Sequence, residues 1–327
     1  MTFKALLLEN QPAFSARVAD LELAHLPEGE VLIRVSHSPL NFKDALAIGN
    51  TSPIVRTWPM VAGIDAAGVV ESSASPDFQP GDTVVVNGWG QGETRWGGLG
   101  QYLRVPAQWP VKLPAPYGPF EAAAVGTAGY TAAMCVQALQ AHGLKPDDGP
   151  ILVTGATGGV GSIAVLLLAR AGYQVLAVTG KARDTDYLKG LGAAEVLARD
   201  DFTAPGKPLQ KERFAGVVDT LGSHALANAC AQVKRGGAVA ACGLAMGMDF
   251  PATVAPFILR GVSLYGIDSV YASRARREAA WALLAARISP ADLAGIVKVI
   301  GLSDVLEAAA TILAGQVTGR YVVDVNR

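Results

Sequence analysis

Between residues 150 and 170 the chain reads Ile151-Leu152-Val153-Thr154, then Gly155-Ala156-Thr157-Gly158-Gly159-Val160-Gly161, then Ser162-Ile163-Ala164-Val165-Leu166-Leu167-Leu168-Ala169. The first four residues, apolar or β-branched, predict a short buried strand, and the apolar run after the glycines is long enough for a helix. Such a strand–turn–helix leaves backbone N–H groups unshielded at a helix N-terminus. The helix dipole is positive there, which suits a phosphate. Gly155 allows the tight turn, Gly158 lets the backbone approach a pyrophosphate, and Gly161 lets the helix pack close to the strand. The spacing is G-x-x-G-x-x-G, not the stricter G-x-G-x-x-G, so the flanks carry the inference. Dinucleotide binding is expected here; a glycine-rich structural turn in another α/β protein is the alternative.

The chain of 327 residues is long enough for about two domains. Half of it is hydrophobic and glycine is plentiful, which is the composition of a globular, glycine-punctuated chain. A net charge of −1 offers no basic field for nucleic acid. No apolar stretch of about 18 residues stands out as a membrane span. The apolar core near the N-terminus is too short for a signal peptide and reads as a strand. Cys135, Cys230 and Cys242 lie apart in apolar settings with no C-x-x-C pair, so neither a disulfide framework nor a structural zinc site is indicated. A reducing cytoplasm is the expected location.

Residues 1 to about 120 have β character, with strands expected at 31–35, 61–70 (through Gly63 and Gly68) and 82–86, and Gly/Pro turns between them. Prolines crowd residues 110–119 as in a connection. Residues 121–143 read as an Ala-rich helix broken near Gly126 and Gly129. A βαβ series follows: strands at 151–154, 173–179, 195–197, 215–219, 238–242 and 262–266, with helices at 184–191 and 223–233, the latter stopped by Gly236-Gly237. That alternation predicts a doubly wound parallel sheet. Helices at 274–287 and 303–314 and a final strand at 319–325 complete the chain. The closing strand needs partners, so the two ends are expected to form one domain, with substrate in a cleft between it and the nucleotide fold.

Folds that prefer NAD carry an Asp or Glu about 20 residues past the glycine turn to hold the ribose 2′-hydroxyl. Here the second strand ends Val178-Thr179-Gly180-Lys181-Ala182-Arg183, with no carboxylate before Asp184. A hydroxyl, a flexible glycine and two cations suit a 2′-phosphate, so NADPH is expected at Thr179, Gly180 and Lys181, with Arg183 as a further cation. A solvated loop is the alternative for either cation alone. Arg199 is a second candidate, with pairing to Asp200 or Asp201 as its alternative.

Several segments resemble the medium-chain dehydrogenase/reductase superfamily, and within it the quinone-oxidoreductase-like branch that contains NADPH-dependent acrylyl-CoA reductases. They are Leu40-Asn41-Phe42-Lys43-Asp44-Ala45-Leu46, Gly63-Ile64-Asp65, Gly88-Trp89-Gly90, Trp96-Gly97-Gly98-Leu99, Gly126-Thr127-Ala128-Gly129-Tyr130, the glycine turn, Cys242-Gly243-Leu244, Pro256-Phe257-Ile258-Leu259-Arg260, Gly266-Ile267-Asp268-Ser269 and Gly319-Arg320. The resemblance implies an α/β architecture: a Rossmann doubly wound parallel sheet inserted into a GroES-like β-barrel catalytic domain. It places the catalytic domain at 1–122 and 263–327 and the NADPH-binding domain at 123–262. It implies a homodimer, through the edge strand near 262–266.

The zinc enzymes of that superfamily hold zinc with a Cys near the Asn41 position and a His near the Ile64 position. This chain has neither, and its four histidines show no ligand spacing, so no metal is expected. Without a Lewis acid, alcohol oxidation lacks a way to lower the alcohol pKa, whereas reduction of an activated C=C bond needs less. By resemblance Asn41, Lys43 and Asp44 are catalytic, though for Asn41 and Asp44 turn and cap chemistry is the alternative. Phe42 replaces the family's usual tyrosine, which leaves water, Lys43 or Tyr130 as proton sources. Gly158, Gly159, Val160 and Gly161 correspond to the pyrophosphate site, and Thr179, Lys181 and Arg199 to the adenosine phosphate end. Leu244, Ile258 and Ser269 correspond to the nicotinamide side, with core packing as the alternative for the two apolar residues. Arg320 corresponds to a position near the cofactor. Trp89, Trp96 and Tyr130 are expected at the substrate, with a structural role as the alternative for the two tryptophans. A CoA needs cations for its phosphates, and Arg56 and Arg95 lie in loops of the catalytic domain, where a solvated arginine is the alternative. The expected activity is NADPH-dependent reduction of a short 2-enoyl-CoA, with a quinone or alkenal reductase second and a non-catalytic NADPH-binding protein third.

Overall fold

The glycine turn lies at the centre of a six-stranded sheet whose neighbours are all parallel. Across the sheet the strands run Ala193–Ala198, Val175–Thr179, Ile151–Val153, Phe214–Asp219, Val233–Ala241 and Ser263–Gly266. Numbered along the chain this order is 3-2-1-4-5-6, the doubly wound Rossmann arrangement, whose winding reverses beside Ile151–Val153. Every residue of Ile151–Val153, Val175–Thr179 and Phe214–Asp219 is buried, as a parallel sheet covered on both faces requires. Gly155 sits at φ +58°, and a Cβ there would overlap the Thr220 hydroxyl. A Cβ on Gly161 would overlap the Gly155 carbonyl and lie 2.6 Å from Ala156 Cα, so the helix Gly159–Arg170 closes on the strand only through a glycine.

The helix Ser223–Ala231 ends before Gly236-Gly237, so these glycines are not its stop. They lie inside the strand Val233–Ala241, where the pairing with Phe214–Asp219 slips between Phe214 and Gly216. Gly236 takes φ +71° and a Cβ on Gly237 would overlap the Ala215 carbonyl. The pair serves an irregular strand that bends against its neighbour.

The computed structural model describes residues 1–327 and divides them into two units. The parallel sheet belongs to Ala128–Asp268 with Ala286–Ile288; the other unit is Met1–Thr127, Ser269–Ala285 and Ser289–Arg327. The divisions fall at 127/128 and 268/269, several residues beyond the expected 122/123 and 262/263; the second lies there because the strand Ser263–Gly266 is hydrogen-bonded into the parallel sheet.

The unit that holds both termini contains a three-stranded sheet and a seven-stranded one. The strand Arg320–Asp324 pairs antiparallel with Val31–Leu40 and parallel with Val297–Gly301, so the end of the chain is built into the sheet begun near its start. The single strand expected over 61–70 is two. Met60–Val61 joins Thr2–Glu9, the chain turns at Gly63 (φ +104°), and Asp65–Ser73 joins Val31–Leu40. A Cβ on Gly97 would overlap the Gly63 carbonyl and one on Gly98 the Asp65 carbonyl, so the glycines after Trp96 let two backbones touch at this turn.

The helix Pro119–His142 breaks only at Gly126 (φ 51°, ψ −166°), while Gly129 stays helical. Contrary to the sequence expectation, this helix is long and apolar enough to cross a membrane by length and composition. In the fold 83% of that window is buried, the environment of a core helix.

Candidate active site

The strand Val31–Leu40 ends directly before the helix Phe42–Ile48, with Asn41 at the junction as N-cap. Asp44, three residues on, accepts the Asn41 backbone N–H at Oδ2 (2.8 Å), which is the cap chemistry the sequence allows. The Asn41 side chain does something else. Its Nδ2 donates to Asp44 Oδ2 (3.0 Å) and to Asp65 Oδ2 (2.9 Å), so one amide group bridges two fully buried carboxylates. Its Oδ1 accepts from Arg320 Nη2 (3.2 Å).

The remaining carboxylate oxygens are also engaged. Asp44 Oδ1 accepts the Ile64 N–H (2.9 Å), delivered by the turn at Gly63. Asp65 accepts Asn87 Nδ2 (2.8 Å) and both the backbone N–H (2.9 Å) and hydroxyl of Thr127. The kink at Gly126 serves this cluster. A Cβ there would lie 2.7 Å from Arg320 Nη2, so only a glycine lets the arginine reach Asn41. Burial pushes Asp44 up to about 7; the neighbouring Asp65 charge adds to this, and the N–H bonds from Asn41 and Ile64 oppose it.

Lys43 points away from this cluster. Its Nζ pairs with Glu93 Oε1 at 2.9 Å while its side chain stays 33% exposed. Arg56 donates its backbone N–H to the Glu93 carbonyl (2.8 Å), and Arg56 and Arg95 are both exposed. Of the expected aromatic residues, Trp89 (φ 59°) stacks on Trp109 with ring centroids 5.9 Å apart, and the Arg277 guanidinium lies 4.3 Å from the centroid of its ring. Trp96 is tied through Nε1 to the Pro59 carbonyl (3.1 Å). Both pack against the core of their unit. Tyr130 is fully buried in its helix, which removes it as an accessible substrate contact or proton source.

In the other unit, the end of the second strand gathers the residues expected there. Thr179 Oγ1 accepts the Lys181 N–H (3.0 Å) and lies 3.3 Å from Thr157 Oγ1. The Arg199 guanidinium lies over Gly180, where a Cβ would be 2.8 Å from Cζ. Desolvation, and then the Arg183 charge, lower the Lys181 pKa against the pull of Asp184. The alternative partners exist but are loose: Arg199 is 3.6 Å from Asp200, and Arg183 is 3.7 Å from Asp184. The Arg199–Asp200 pair is exposed on both sides, and such a pair contributes about 0–1 kcal/mol. Leu244 is 56% and Ile258 72% exposed, so core packing does not explain either.

Arg320 is found on Asn41. The sequence assigned no role to Asp65, Asn87, Thr127 or Glu93. Asp65 carried a signal, since a carboxylate opening an apolar strand must be buried with it and must find donors. Thr127 and Asn87 carried none, because their role depends on where a helix kink and a strand end meet.

Residues 27–115 match the model of the alcohol dehydrogenase GroES-like domain, and residues 159–286 that of the zinc-binding dehydrogenases. The acrylyl-CoA reductase AcuI of Ruegeria pomeroyi is 48% identical over 328 residues, covering 99% of each chain. The chain belongs to the medium-chain dehydrogenase/reductase superfamily. Its place there is in the quinone-oxidoreductase-like branch that includes the acrylyl-CoA reductases. The putative quinone oxidoreductase YhfP of Bacillus subtilis is 44% identical, covering 98% of both chains. The crystal structure of the YhdH oxidoreductase from Salmonella enterica in complex with NADP superposes with a TM-score of 0.97 at 48% identity, covering 98% of this chain and 99% of that one.

The Asp44 environment has a measurable consequence. A carboxyl raised from 3.8 to about 7 on folding holds its proton more tightly in the native state. The stability it contributes is present below pH 4 and is lost as pH rises towards 7. Asp44→Asn removes this dependence and leaves one N–H without an acceptor, at a cost of about 1–3 kcal/mol. The gap in Tm between native protein and variant should be widest near pH 4 and narrow towards pH 7; a gap independent of pH would refute the raised pKa.

Proposed function

We propose that this protein reduces the C=C bond of a short 2-enoyl-CoA with NADPH, converting acrylyl-CoA to propionyl-CoA. The observation that carries the proposal is the Asn41 cluster. Its carboxylate oxygens are all turned to N–H and O–H donors. The position where zinc relatives place ligands is therefore a hydrogen-bonded network, and no group of three or more His, Cys, Asp or Glu converges anywhere in the fold to replace it. A zinc-independent reduction of an activated double bond suits such a site. The near full-length similarity to the Ruegeria protein supports a CoA thioester as the substrate.

NADPH, when bound, would supply the hydride for the β-carbon, and water the proton that completes the α-carbon. Gly158, Gly159, Val160 and Gly161 offer their backbone to the pyrophosphate at the start of the helix Gly159–Arg170. Thr179, Gly180, Lys181 and Arg199 take the 2′-phosphate, a group that would relieve the crowding of cations there. Leu244 and Ile258, exposed in the same unit as the glycine turn, are assigned to the nicotinamide. Both N–H bonds of the Asn41 amide are committed to Asp44 and Asp65, so Asn41 and Asp44 hold the segment in place. Lys43 has three N–H donors and spends one on Glu93. Its charge is the one that stabilises the enolate oxygen formed as the β-carbon is reduced.

The second reading is a quinone or alkenal reductase. It is favoured by the exposed Phe42 ring beside Lys43, a flat surface on which a quinone stacks, and by the likeness to the Bacillus protein. Acrylyl-CoA and phenanthrenequinone compared with NADPH separate the two. Faster consumption of NADPH with acrylyl-CoA is expected, and rapid turnover of the quinone with none of the thioester would reverse the order.

The cofactor assignment is tested by Lys181→Ala. Loss of a charge-assisted contact to the 2′-phosphate should raise the KM for NADPH about ten- to a hundredfold and leave that for NADH unchanged. Equal effects on both would exclude the 2′-phosphate role.

We also propose a homodimer through the edge strand Ser263–Gly266, which has a neighbour on one side only. Leu264 on that strand and Val254 and Leu259 just before it are exposed, apolar side chains that a partner strand would cover. Sedimentation should give twice the chain mass, and Leu264→Lys should shift it towards the monomer. A native protein that sediments as one chain rules the dimer out.

A further inference from the structure

The Asp65 carboxylate has a partner no part of the proposed reaction accounts for. Asn87, the last residue of the strand Thr83–Asn87, turns its amide onto Asp65 Oδ1 at 2.8 Å. An asparagine amide has an oxygen and a nitrogen of nearly equal size, and only the nitrogen can serve a carboxylate. The oxygen turned to Asp65 would place two acceptors in contact inside a buried site, which is repulsive. Something must hold the amide the right way round.

The helix Arg274–Arg287 supplies it. Trp281 Nε1 lies 3.3 Å from Asn87 Oδ1. An indole N–H is a donor only, so it can meet the oxygen end of the amide and never the nitrogen end. One turn earlier, Arg277 Nη1 donates to the Asn87 backbone carbonyl at 2.6 Å. The same guanidinium donates to the carbonyls of Ala272 (2.9 Å) and Val270 (2.6 Å), and the Val270 carbonyl also accepts the Trp89 N–H (3.1 Å). Asp65, Asn87, Arg277 and Trp281 are all buried. Water is therefore not at hand to replace a lost donor, and each bond counts for more than it would at the surface.

We propose that Trp281 and Arg277 are positioning residues of the active site, with Trp281 locking the orientation of the Asn87 amide that holds Asp65, and through Asp65 the Asn41–Lys43 segment. The inference rests on the reading of that segment as the reactive one. Arg277 fixes the Asn87 main chain, and Trp281 fixes its side chain. Neither touches the groups offered to the substrate. The effect of the Trp281 N–H passes through Asn87 alone, and that sets how it is tested.

The test is a double-mutant cycle of Trp281→Phe, which keeps the ring and removes the N–H, and Asn87→Ala. Trp281→Phe alone should lower kcat about tenfold, the size of one lost buried hydrogen bond, and leave the KM for NADPH unchanged. In the Asn87→Ala background the same substitution should cost nothing further. A purely structural tryptophan would lower kcat or Tm equally in both backgrounds, and that result overturns the proposal. The cycle is run with whichever of acrylyl-CoA and phenanthrenequinone the native protein reduces, so failure of the thioester assignment leaves it readable. A second measurement needs no substrate. In protein labelled with 15N at asparagine, the Asn87 side-chain amide should be protected from hydrogen exchange, and Trp281→Phe should remove that protection. An amide equally protected in both proteins sinks the orientation lock even where no acceptor is turned over.

Discussion

Two carboxylates, Asp44 and Asp65, are buried side by side and bridged by the amide of Asn41. Taking an ionised carboxylate out of water costs several kcal/mol unless donors meet it, and a second one nearby adds repulsion. The donors that meet this pair come from segments far apart in the chain: the end of one strand at Asn41, the turn at Ile64, the strand end at Asn87 and the kinked helix at Thr127, with Arg320 of the last strand closing on Asn41. The fold of this unit is what brings them together. If any segment is displaced, a buried charge is left short of a partner, so the cluster ties the sheet, the kink and the chain terminus into one arrangement.

Glycine makes that arrangement possible. Gly63 turns the chain between two sheets, Gly126 opens the helix so that Arg320 fits, and Gly97 and Gly98 let the backbone lie against Gly63 and Asp65. The same device recurs in the parallel unit. Gly161 seats the helix on the first strand, and Gly180 lets the Arg199 guanidinium lie on the end of the second. In each case a Cβ would meet backbone or a charged group, so the constraint is steric and local. Beside Thr179 the close approach brings the Arg199 guanidinium onto the backbone at Gly180; at the Asn41 cluster it buries polar groups that would otherwise be hydrated.

Much of the fold was legible in order along the chain. Alternation of short apolar runs with helical stretches after residue 150 identifies the doubly wound sheet, and the absence of an acidic residue after Thr179 points to NADPH, because both depend on neighbours in sequence. The errors share a cause. Gly236-Gly237 looked like a helix stop, since glycine signals local flexibility whether it ends a helix or bends a strand, and only the register with Phe214–Asp219 separates the two. Residues 61–70 looked like one strand because apolar content does not report which sheet each half joins. Tyr130 looked available because hydropathy along a helix does not say which face another element covers.

The sequence by itself determined the strand–turn–helix, the cations beside Gly180 and the identity of the polar residues near Asn41. These are matters of residue type and short spacing, where backbone sterics and charge act within a few residues. Tertiary structure alone decided that Asn41 would bridge Asp44 to Asp65, that Lys43 would face Glu93, and that Trp281, 194 residues along the chain, would orient Asn87. A buried hydrogen bond is set by which groups lose their water together. That depends on the packing of the whole unit and leaves no periodic trace in the chain.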